Sequence, residues 1–161
     1  MHIRLYKLIN DELHYWEKWD TEEKSTIIHW GKVGETGQHI ELNPKLHTND
    51  KKIIQNEMNQ KISEGYCAIE EEKFAVLEIE YTIDDFGSEA DLDLRHRLEE
   101  QMDEVLGWTG LGFCDGGSIG SGSMEVCCVV VDFEIAKKVI EESLINTEFS
   151  NYSSIINISE D

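Results

Sequence analysis

The pentapeptide Gly116-Gly117-Ser118-Ile119-Gly120 has the Gly-x-Ser-x-Gly spacing with which hydrolases present a nucleophilic serine. That chemistry needs a strand before the serine and a helix after it. Here the following residues, 124–131, read as another strand, and the chain is too short for the hydrolase sheet. Residues 115–123 are therefore expected to form a mobile hairpin loop. Gly116, Gly117, Ser118 and Gly120 remain a candidate loop site, because successive backbone N–H groups can cradle a phosphate. Asp115 and Glu125 flank them with negative charge, which opposes that use. His29 and His39 can face each other across a predicted hairpin, but no third ligand accompanies them, so they read as exposed strand residues and no metal is expected. Asp84, Asp85, Glu89, Asp91 and Asp93 lack calcium-loop spacing and read as the acidic start of a helix. Cys67, Cys114, Cys127 and Cys128 form no Cys-x-x-Cys pair and read as free thiols. Cys114 and Cys128 fall on strands that can pair. No nucleotide-binding glycine motif is present. With neither an acid–base pair nor an activated nucleophile, the chain is not expected to be an enzyme or to carry a cofactor.

Two periodic sets of elements position these residues. In the first half, residues 2–9, 14–19, 25–32 and 38–42 read as strands, with turns at Asn10-Asp11-Glu12 and 20–24. Pro44, the only proline, stops the sheet. Thr48 or Asn49 caps a helix running to about Glu64, with Ile53, Ile54, Met58 and Ile62 at helical spacing and Gly65 at its C-terminal end. Residues 66–69 read as a short strand, and Glu70-Glu71-Glu72-Lys73 as a linker. In the second half, residues 74–82 alternate as a strand. Residues 91–106 place Leu94, Leu98, Met102, Val105 and Leu106 on one helical face. Strands are expected at 109–114, 124–131 and 154–158. A second helix at 133–144 carries Ile135, Ala136, Val139, Ile140 and Leu144. The expected class is α+β: an antiparallel sheet with one helix over residues 1–69, then a ferredoxin-like βαββαβ domain over residues 74–161.

The first sheet contains the run Trp30-Gly31-Lys32-Val33-Gly34-Glu35-Thr36-Gly37-Gln38. An aromatic residue closes an apolar strand, three glycines turn the backbone, and a new strand begins. Tyr15, Trp16 and Trp19 precede it, and Lys61-Ile62-Ser63-Glu64-Gly65-Tyr66 ends the helix. Together, over roughly residues 4–66, this pattern resembles the WGR domain family, small β-rich modules known mainly as nucleic-acid and protein-contact units. The resemblance implies a contact surface at Trp30, Gly31, Lys32, Gly34, Gly37 and Gln38. In the family's poly(ADP-ribose) polymerase members the signature tryptophan and arginine contact a DNA end and a neighbouring domain. The corresponding positions are Trp30 and Lys32. A lysine meets a phosphate as a point charge, without the planar fork of arginine. Lys45, Lys51 and Lys52 are the other cations expected to help at such a site.

Charge decides between the functions that remain. The net charge is −20, with 10 basic and 14 acidic side chains in residues 1–73, and 4 and 20 in residues 74–161. This balance excludes broad phosphate-tracking nucleic-acid binding, which needs clustered cations. It suits a basic protein partner. The N-terminal residues lack the apolar core of a secretion signal, and no stretch approaches the ~18 apolar residues of a membrane span. A cytoplasmic protein with reduced thiols and no membrane partner is expected. It is expected to act through protein–protein contact, toxin neutralisation being one concrete case. DNA-end binding through the WGR-like signature is the alternative.

Overall fold

The structure, a computed structural model, describes residues 1–159. It is α+β and divides into two compact units, Met1–Glu70 and Glu71–Asp161.

In the first unit, β1 (Ile3–Ile9), β2 (Glu12–Asp20), β3 (Thr26–Lys32) and β4 (Gln38–Leu42) form a sequential antiparallel sheet. The β1–β2 hairpin has a two-residue turn, Asn10-Asp11, both at positive φ. These residue types tolerate that conformation, and its twist matches the strands it joins. Alternation gives the sheet two unlike faces. One face carries Leu5, Trp16 and Ile28 and packs on Ile54 and Met58 of α1 (Asp50–Ser63). Trp16 Nε1 also donates to Glu57 Oε1 at 3.1 Å. The apolar stripe of α1 is narrower than expected: Ile53 and Ile62 are exposed. Asn49 occupies the N-cap position without a side-chain cap bond. The Asp50 carboxylate instead accepts from the Asn43 backbone N–H at 3.0 Å, tying the helix start to the end of β4. The expected strand at 66–69 is reduced to one bridge, Tyr6 to Cys67, with N–H···O bonds in both directions. A single helical turn at Glu71–Lys73 follows.

The second unit runs β5 (Ala75–Thr82), α2 (Glu89–Gly107), β6 (Gly112–Ile119), β7 (Ser123–Val130), α3 (Phe133–Leu144) and β8 (Ser154–Asn157). This is the expected βαββαβ order, with the antiparallel strands arranged β6-β7-β5-β8. Ser88 and Asp91 form a reciprocal capping box on α2, and Asp132 caps α3 by accepting from Ile135 N–H. Both helices bury apolar side chains, among them Leu98, Met102, Ile140 and Leu144. The sheet contributes Leu77, Ile79, Met124 and Val126 to the core. Their alternate neighbours point to the sheet's other face, which neither helix covers.

One expectation fails here. The strand predicted at 109–114 lies at Gly112–Ile119, so most of the predicted loop 115–123 is β-structure and only a short turn joins β6 to β7. A β-bulge between Cys114 and Gly117 inserts one extra residue and shifts the phase of alternation, which hides the strand from a period-two reading.

Candidate functional site

The residues of the run 30–38 do not converge on one exposed site. Trp30 lies on the helix-covered face and packs, half-buried, against the Leu5–Trp16–Ile28 core. Lys32, at the end of β3, donates to Glu12 Oε1 at 2.8 Å. That hydrogen bond pulls the Glu12 carboxyl below its ordinary range and raises the Lys32 ammonium. Gln38 is exposed opposite Trp30 on β4, and Gly34 lies in the turn between the strands. Lys45 and Lys51 sit at the other end of the sheet, where a cleft brings them together with Thr26. Six residues of extended strand, about 20 Å, separate Thr26 from Lys32. The expected grouping of these cations around Lys32 is therefore corrected.

Gly31 and Gly37 have a structural task. A Cβ on Gly37 would stand 2.2 Å from the Trp30 carbonyl oxygen and 2.7 Å from the Tyr15 hydroxyl, at φ +66°. A Cβ on Gly31 would meet Gly37 Cα at 2.9 Å and the Tyr15 hydroxyl at 3.1 Å. Their absence lets the β3–β4 hairpin close on Tyr15, whose hydroxyl donates to Glu35 O at 2.8 Å and Thr36 O at 3.1 Å.

Tyr15 belongs to a polar network on the sheet face opposite α1. The Glu17 carboxylate, buried in β2, accepts from Arg4 Nε at 2.7 Å, His2 Nε2 at 2.6 Å and His29 Nδ1 at 2.7 Å. His29 Nε2 reaches the Thr36 carbonyl at 2.5 Å and lies 3.1 Å from the Tyr15 hydroxyl. Oxygen acceptors thus face both nitrogens of the buried ring. Trp19 stands edge-on to the His29 ring, and His2 edge-on to Trp19. Burial alone would raise the Glu17 carboxyl. The hydrogen bonds from His2 and His29, with the charge of Arg4, outweigh it and hold the group at about 2. Burial pushes Tyr6 up to about 12 against the opposing pull of Arg4, and burial also raises Tyr15. Tyr15, Glu17 and His29 are fully buried, so they organise the hairpin and have no access to a substrate. Sequence reading took His29 as an exposed strand residue. The available signal was that Arg4, Glu17 and His29 share one phase of alternation with Tyr6 and Tyr15. His39 is paired in register with His29 but is exposed on β4. Among the described residues no three His, Cys, Asp or Glu side chains are grouped to hold a metal.

In the second unit, Gly116, Gly117 and Ser118 lie in β6, not in a loop, and Gly120 lies at the turn. The Ser118 hydroxyl donates to Glu125 Oε2 at 2.7 Å, and the strand β7 follows in place of the helix that a nucleophilic serine requires. The sheet face away from the two helices is strongly acidic at its centre. Glu80 of β5 is paired directly opposite Glu125 of β7, and Glu78 lies on the same face two residues along. Like charges directly opposite one another destabilise a sheet. Burial first, then the charges of Glu125 and Glu80, raise the Glu78 carboxyl above its ordinary range. Val76, Val129 and Phe113 form an apolar band in register beside these carboxylates, and Ile156 of β8 is paired with Glu78. Phe113 and Ile156 are 40% and 41% exposed.

Comparison of the chain with known protein families, with curated proteins and with solved structures found no match. No helix among the described residues is long and apolar enough to cross a membrane.

Proposed function

We propose that this chain is a noncatalytic binding protein whose second unit holds a basic protein segment against the helix-free face of its sheet. The carrying observation is the opposed pair Glu80 and Glu125 with Glu78 beside it. These carboxylates repel one another in the free protein, and a lysine- or arginine-bearing partner relieves that repulsion. The apolar band next to them supplies the desolvated contact that a specific interface needs at its core. The first unit is read as a WGR-like contact module. The pairing of Lys32 with Glu12 and the packing of Trp30 favour a protein neighbour over a DNA end. The four free cysteines support a cytoplasmic setting.

The test is a titration of the full chain with a synthetic Lys/Arg-rich peptide bearing apolar residues, followed by NMR. Shifts should centre on β5, β7 and β6, and the triple change Glu78→Gln, Glu80→Gln, Glu125→Gln should weaken binding. Neutralising an equal number of charges on α3 (Glu134, Glu141, Glu142) should leave affinity nearly unchanged. Equal weakening by both sets would show diffuse charge attraction and overturn the reading.

A further inference from the structure

The first unit holds a second charged feature, of opposite sign. Lys18 of β2, Lys24 of the β2–β3 turn, Lys45 of the β4–α1 connection and Lys51 of α1 line one cleft of about 480 Å³. Thr26, Pro44, Ile54 and Gln55 complete most of its wall. None of the four ammonium groups makes an ion pair with any described residue, although the chain has 34 acidic side chains for 14 basic ones. Three of the four lysines elsewhere in this unit are held, Lys32 by Glu12, Lys61 by Glu64 and Lys7 by the Glu64 carbonyl; Lys52, exposed on α1, has no ion pair with any described residue. The one carboxylate lining the cleft, Asp20, accepts from the Thr26 hydroxyl at 2.8 Å and the Met1 amino group at 3.0 Å, and the charge of Lys18 acts on it without forming an ion pair. Lys51 also lies in the first turn of α1, where the helix dipole disfavours a cation. Four unpaired cations around one concavity, one of them against its local preference, form an arrangement that a bound anion stabilises.

We infer that this cleft is a binding site for a small molecule carrying two or more linked phosphates. Lysines contributed to one cleft by β2, the β2–β3 turn, the β4–α1 connection and α1 suit a compact polyanion better than a single charge. Pro44 and Ile54 offer an apolar wall to whatever the phosphates are attached to. The size of the cleft matches a small ligand. The site lies at the opposite end of β3 from Lys32, so it is separate from that end of the WGR-like signature.

Calorimetric titration of the full chain with inorganic triphosphate at low salt tests the site. Stoichiometric binding that weakens as salt rises is expected. Lys45→Gln and Lys51→Gln should each reduce affinity by about tenfold, that is by about 1.4 kcal/mol. Lys32→Gln should leave it unchanged. All four lysines are surface residues, and matching far-ultraviolet circular dichroism will verify that the variants fold. Absence of binding, or binding indifferent to Lys45 and Lys51, overturns the inference. A 5′-phosphorylated DNA duplex that binds more tightly than triphosphate through the same lysines overturns it too, because the occupant is then a nucleic-acid end.

Discussion

Glu17 is a carboxylate in the middle of a strand, shut off from water and held by three nitrogen-bearing side chains. Its folded-state value of about 2 lies below the ordinary 4.5, so the unfolded chain binds this proton more readily than the folded one. The stabilisation is therefore complete above about pH 4.5 and is lost as pH falls towards 2, by an amount on the order of 3 kcal/mol. Urea unfolding across this window should show that loss in the native protein. Glu17→Gln should be less stable at neutral pH and should lack that share of the acid dependence. A variant with the native pH profile would show that the network contributes nothing. The network also marks where sequence reading runs out at this scale. Glu17 and His29 look like solvent-facing residues of alternating strands, because a period-two pattern separates faces but does not say which face is wet. Gly31 and Gly37 were legible as turn residues, but the reason both must lack a Cβ depends on the Tyr15 hydroxyl, a contact distant in sequence.

At the scale of elements, α3 lies at Phe133–Leu144 as its spacing predicts, because Ile135, Ala136, Val139, Ile140 and Leu144 leave one register and Asp132 supplies a cap. The four-strand order of the first sheet was readable for similar reasons. Strand β6 was not, because its bulge breaks the alternation and its glycines imitate a loop. That strand sets Cys114 directly opposite Cys128. The hydrogen bond between the two thiols lowers Cys114 and raises Cys128, and burial adds to the rise at Cys128. Burial also raises Cys127. Cys67 is exposed beyond α1. Alkylation of the native protein should therefore reach Cys67 and Cys114 first, Cys127 more slowly, and Cys128 only on unfolding. Peptide-level mass spectrometry of a time course will give the order, and early labelling of Cys128 would show that the β6–β7 pair opens readily.

At the scale of the whole molecule, charge opposes compactness. A net charge of −20 repels itself in the folded state, and added salt screens that repulsion more than it weakens the few exposed ion pairs. The thermal midpoint should rise between low and physiological ionic strength. A falling midpoint would mean that paired charges dominate. The division into two units has a different consequence, one of order in time. The backbone bridge from Tyr6 to Cys67 joins the first strand of unit one to its final segment, and β8 pairs with β5, the first strand of unit two. Each unit is thus closed by its last-made residues returning to its first. During synthesis the opening strand of each unit waits, with an edge still unmatched, for nearly the whole unit to emerge. The first unit completes itself while the second is still being made, so the nascent chain meets its risk of mispairing in two separate intervals.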